Sequence, residues 1–181
     1  MFDNREKVIV FIDGAHFYFV AKSLDFEIDF QKVLAYFKSE AYLVRANYYT
    51  AIAEDQEFIG LRPLVDWLDY NGYRVVTKAY KDLTDPSGKK RVRSSMEMEL
   101  ACDLFEQIDT ADHLIIIAGD SDLARLVQTA QLKGKKVTVM STLTGQLASI
   151  SDELRRKADQ FVDLSGFKEK FSRSGHSKNR S

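Results

Sequence analysis

The sequence predicts an α/β fold in which a mainly parallel central sheet is covered by helices on both faces. Three observations carry that reading. Short apolar or alternating runs recur along the chain, segments of helical periodicity lie between them, and one run, Leu114 to Ala118, is almost wholly apolar, as a central strand buried on both faces requires. The runs at Val8 to Ile12, Leu43 to Tyr49, Tyr73 to Ala79, Leu114 to Ala118 and Val137 to Met140 read as strands, and Phe161 to Leu164 is a weaker sixth.

The helical segments follow the same logic. Phe30, Val33, Leu34 and Phe37 share one helical face after Asp29, a suitable cap, and Leu123, Leu126, Val127 and Ala130 do so before Gly134. Phe58, Leu61, Val65 and Leu68 are also helically spaced, with Pro63 either opening that helix or kinking it. Phe17, Tyr18 and Phe19 cannot all face one way on a helix, and Phe17 and Phe19 read as packing residues. Asp85, Pro86, Ser87 and Gly88 are turn residues, and the basic cluster Lys89, Lys90, Arg91 and Arg93 follows them in an expected loop.

Composition narrows the classes. The chain has 181 residues, 45% of them apolar, enough for one substantial core. Lys and Arg number 26 against 27 Asp and Glu, a formal charge of -1, which excludes a generally basic nucleic-acid binder and leaves local patches to be found. A single cysteine, Cys102, excludes an internal disulfide and a paired-cysteine metal site, and it reads as a small buried apolar residue. Val8 to Ile12 is too short for a membrane span or signal core, so a cytoplasmic location without membrane contact is expected. Residues 1–165 form the expected domain. Residues 166–181 form a basic tail in which Lys168, Lys170, Arg173, Lys178 and Arg180 outnumber Glu169, with disorder expected after about Phe171.

In an open parallel sheet, ligands bind beyond the carboxyl ends of the strands. Asp13 follows the first run, and Asp120 and Asp122 follow the fourth within Gly119-Asp120-Ser121-Asp122. Carboxylates brought together there repel one another and raise each other's pKa, and a hard cation such as Mg²⁺ would relieve this. Metal-assisted phosphodiester hydrolysis is the candidate chemistry. Local structural roles compete with it: Asp120 or Ser121 as a helix cap, Asp122 in a first turn, Asp13 as a turn residue, and Ser94 with Glu97 as a capping box.

Taken together, Val8 to Gly14, Met96 to Leu104, Leu114 to Leu123 with Gly134 to Val139, and Leu154 to Leu164 resemble, in order and spacing, the NYN domain family, in its LabA-like branch of the PIN-like nucleases. The resemblance implies a PIN-like three-layer α/β/α sandwich, a divalent metal (Mg²⁺ or Mn²⁺) and, in active members, endoribonuclease activity. It implies that Asp13, Asp120 and Asp122 lie nearest the metal, that Glu97 stands where aspartate is usual, and that Asp103 matches a further family aspartate. Six residues separate Glu97 from Asp103, about 240° of helical rotation, so a regular helix cannot aim both at one ion. His16 replaces a common asparagine, Ser94-Ser95 a common Lys-Gly, and Leu123 a common phenylalanine.

A metal-dependent endoribonuclease acting on flexible or single-stranded RNA is therefore the first functional expectation. Its alternative is a catalytically silent RNA-binding or regulatory protein that retains the fold. Lys89, Lys90, Arg91 and Arg93 would bind RNA phosphates, and Tyr49, at the expected end of the second strand, would stack on a base. His16 and Asp103 are secondary site candidates. RNA is the expected partner, and protein partners and a homodimer stay open.

Overall fold

The computed structural model describes residues 5–53, 58–80, 83–84, 90–91, 95–144 and 149–173. Six strands form one sheet: β1 (Lys7–Asp13), β2 (Tyr42–Ala53), β3 (Tyr73–Tyr80), β6 (His113–Ile117), β7 (Lys136–Ser141) and β8 (Gln160–Asp163). Their spatial order is β3-β2-β1-β6-β7-β8, and every pairing is parallel. Between β3 and the next helix, β4 (Leu83–Thr84) and β5 (Lys90–Arg91) pair antiparallel as a separate ribbon.

Alternation along β1 generates the layers. Val8, Val10 and Ile12 face one side of the sheet, and Ile9 and Phe11 the other. The first side is covered by α1 (Gly14–Ser23), α2 (Phe30–Glu40), α3 (Phe58–Tyr70) and α7 (Lys168–Phe171), through Phe17, Val33, Phe37, Leu68 and Phe171. The second is covered by α4 (Glu97–Gln107), α5 (Ala124–Leu132) and α6 (Asp152–Lys157), through Leu100, Leu104, Val127 and Leu154. The result is the expected three-layer sandwich. No described helix is long and apolar enough to cross a membrane.

The α2 cap read from the sequence is present, whereas Ser94 of the expected capping box with Glu97 lies outside the described residues. Asp29 accepts hydrogen bonds from the Gln31 and Lys32 amides at the start of α2. Gly134, at φ +73°, ends the turn after α5. Pro63 lies inside α3, so the helix begins before it and forgoes one backbone hydrogen bond there.

Several expectations are corrected. β2 continues to Ala53, so Tyr48 and Tyr49 sit inside a strand and are buried. Phe19 is half-exposed, and Cys102 is exposed because Leu100, Asp103 and Leu104 take the inward face of α4. The packed body also passes the boundary at 165. Phe171 is fully buried, its ring meets Phe17 and Tyr36, and its carbonyl accepts from the Asp29 amide. Residues 174–181 lie outside the described residues.

Gly134 and Gly166 separate backbone strain from packing, since an added Cβ at either would meet no atom within 4 Å and only Gly134 has a positive φ. Gly134→Ala is expected to lower stability by about 1 kcal/mol and Gly166→Ala to leave it unchanged or slightly raised, as read from denaturant midpoints at constant slope.

Candidate active site

The sheet reverses its winding between β1 and β6: β2 and β3 extend one way from β1, β7 and β8 the other way from β6. A crevice opens beyond the carboxyl ends of strands at such a point. Asp13 is the last residue of β1, and Asp120 lies just past the end of β6. Each is also a helix cap. Asp13 Oδ1 accepts from the His16 amide at 3.1 Å, and Asp120 Oδ1 accepts from the Asp122 amide at 2.9 Å. The local and the functional readings of these residues therefore coexist, because capping uses only part of a carboxylate's four or so acceptor positions.

A cavity of about 890 Å³ opens at Asp13 and Glu97. Glu97 is the first residue of α4, after Met96, which makes no side-chain capping bond. The Glu97 Oε2 atom is buried without a hydrogen-bond partner. Burial pushes the Asp13 carboxyl above the usual aspartate range, the backbone bond from His16 pulls it down, and the charges of Glu97 and Asp120 push it up again. Asp13, Glu97 and Asp120 thus form one electrostatic neighbourhood. Asp122 contributes its amide to Asp120, and its side chain is exposed.

Among the described residues, no three His, Cys, Asp or Glu side chains stand close enough together to hold a metal ion as they are placed. The tight three-acid cluster expected of Asp13, Asp120 and Asp122 is therefore not assembled. The chemistry of the donors nevertheless fits a hard cation. They are oxygen donors, one lacks a partner, and one has its pKa raised by burial and like charge.

The remaining candidates have other partners. Asp103 is buried and receives hydrogen bonds from both terminal nitrogens of Arg74 and, at 2.9 Å, from the Tyr49 hydroxyl. It is committed to a structural pair on the face of α4 turned away from Glu97. Tyr49 is fully buried and its ring stacks on Phe11, so it offers no face to a base. The expectation of a stacking Tyr49 is corrected. Lys90 and Arg91 form β5, whereas Lys89 and Arg93 lie outside the described residues.

His16 fills the crevice between strand ends. Its Nε2 lies 3.0 Å from Ser141 Oγ, which lies 3.1 Å from Ser149 Oγ, and Ser149 donates to the Thr142 carbonyl. With that last proton placed, Ser141 donates to Ser149 and accepts from Nε2–H, fixing a neutral tautomer. Burial lowers the His16 pKa to about 4 against an opposing pull from Asp120. Gly119 makes room for the ring, because an added Cβ would overlap His16 Cε1 and the Ser149 carbonyl.

Two features escaped the sequence reading. Lys78, which lines the cavity, pairs with Glu99 of α4 at 2.8 Å. Asp163 ends β8 as Asp13 ends β1, but it lies inside the run Phe161 to Leu164 and not after it; its carboxylate is occupied by Thr142, Leu143 and Ser165.

Asp13→Asn keeps the cap and removes a charge from a repelling group. A carboxyl whose folded pKa is raised loses stability as pH rises above the unfolded value, so the metal-free variant is expected to melt higher than the parent at pH 7 and equal to it below the aspartate range. His16 acts oppositely: its neutral burial is fully stabilising above about pH 6.5 and is lost toward pH 4, so acid unfolding in that window is expected to weaken in His16→Asn. Melting temperatures across pH check both signs.

The chain is similar to known proteins along nearly its whole length. The NYN domain matches residues 7–165. The low amplitude and bright protein LabA of Synechococcus elongatus is 32% identical over 162 residues, covering 87% of this chain and 83% of that protein. A crystal structure of a protein of unknown function from Vibrio parahaemolyticus superposes with a TM-score of 0.74 at 23% identity, covering 96% of this chain and 99% of that one, which shows the shared fold. By sequence match and by architecture, the chain belongs to the NYN domain family of PIN-like nucleases.

Proposed function

We propose that this protein is a divalent-metal-dependent endoribonuclease that hydrolyses phosphodiester bonds in flexible or single-stranded RNA. One observation supports the reading most: at the sheet's switch point the Asp13 carboxyl is raised first by burial and further by the charges of Glu97 and Asp120, while Glu97 Oε2 has no hydrogen-bond partner. The arrangement is unfavourable for the bare chain and favourable around a cation.

Asp13, Glu97 and Asp120 would hold Mg²⁺ or Mn²⁺, with Asp122 beside them. Such an ion supplies polarisation of a phosphoryl oxygen and a water of lowered pKa. The chain's own part is to position. The β1 and β6 ends fix Asp13 and Asp120, the first turn of α4 brings Glu97 to the same cavity, and neutral His16 packs Gly119 against α1. Lys89, Lys90, Arg91 and Arg93 would offset the acidic centre by binding phosphates. The second reading, an RNA-binding protein without catalysis, is favoured by the lack of a ready three-ligand group among the described residues.

Cleavage separates the two. The full chain with Mg²⁺ or Mn²⁺ is expected to cut an unstructured RNA internally and to stop in EDTA. Glu97→Gln and Asp120→Asn, folded by circular dichroism, are expected to lose about a hundredfold or more of the rate. RNA binding without cleavage in either metal supports the silent reading instead.

A further inference from the structure

The cavity at Asp13 and Glu97 is lined by more than carboxylates. Leu61 and Leu64 of α3 and Met96 before α4 also line it, as does Tyr18 of α1, with 59% of its surface exposed. Lys22, one helical turn later, places its ammonium 5.4 Å from the Tyr18 ring centroid and so restrains the ring beside the helix. An exposed tyrosine on a helix is ordinary. What sets this one apart is that three other elements bring an apolar wall and two carboxylates to the same cavity.

The chemistry selects an occupant. Among the described residues, a phosphate would find only Lys78, already paired with Glu99, against two carboxylates and the leucine and methionine side chains, whereas a neutral planar ring gains from both those apolar side chains and the tyrosine face. The volume lies within the about 300–1,000 Å³ of small-molecule sites. A base paired in a duplex cannot enter a concave site without leaving its stack. Resting on the nuclease reading of the carboxylates, we propose that this cavity holds a nucleobase subsite, in which Tyr18 stacks on one unpaired base of the RNA next to the phosphate that is cut. Specificity for unpaired RNA then originates in this cavity.

The test compares the full-length chain with Tyr18→Ala and Tyr18→Phe by fluorescence anisotropy in EDTA, using a labelled oligouridylate and an abasic ribose-phosphate oligomer of equal length. Tyr18→Ala is expected to weaken oligouridylate binding about tenfold, Tyr18→Phe to stay within about twofold of the parent, and the abasic oligomer to bind all three proteins equally and weakly. Unchanged oligouridylate binding by a folded Tyr18→Ala protein overturns the subsite, as does an equal loss for both oligomers or no binding by the parent. Metal-dependent cleavage that persists in those cases leaves the nuclease reading standing. Tyr18-dependent binding without cleavage by the parent supports the subsite and overturns the nuclease reading.

Discussion

Burial of β1 and β6 on both faces is the constraint on which the rest of the molecule depends. From Val8 to Ile12 and from Leu114 to Ile117, every side chain is fully buried, and the strands pair in register from Val8–His113 to Ile12–Ile117. No charge is tolerated within these runs, so acids appear only where the strands leave the core. Because both strands are parallel, their exits lie on one edge, and Asp13 and Asp120 arrive there together. Right-handed crossovers then wind in opposite directions from this pair and leave the crevice open between them.

The same edge explains why capping and site chemistry share residues. A strand that turns into a helix needs an acceptor for the first free amides, and a carboxylate supplies it while retaining other lone pairs. Glu97 enters differently. It is carried in by α4, and its unpartnered oxygen adds like charge beside an Asp13 carboxyl already raised by burial. Removing a charge there is expected to stabilise the empty protein, the usual opposition between site chemistry and stability.

The strands, the α2 cap, the turn at Gly134 and the positions of Asp13 and Asp120 were legible because each is a local pattern: an apolar period, a capping residue, an acid at a strand end. Partners distant in sequence were not. Nothing in the spacing of Tyr49, Arg74 and Asp103 announces that β2, β3 and α4 bring them together, and the apparent end of β2 at Tyr49 concealed four further strand residues. His16 was read as a possible substitute for asparagine; its bond to Ser141 depends on β7 lying one strand beyond β6. The near-incompatibility of Glu97 and Asp103 on one helix is legible from rotation alone: Asp103 is engaged by Arg74 and Tyr49, while Glu97 lines the cavity.

If the carboxylates at the β1–β6 exit form a cation site, Mn²⁺ soaked into crystals of the full chain binds there. An anomalous difference map is expected to show a peak within coordination distance of Asp13 and of Glu97 or Asp120, lost in Asp13→Asn crystals. A fully occupied peak elsewhere with this crevice empty, or a peak that persists in Asp13→Asn, would contradict it.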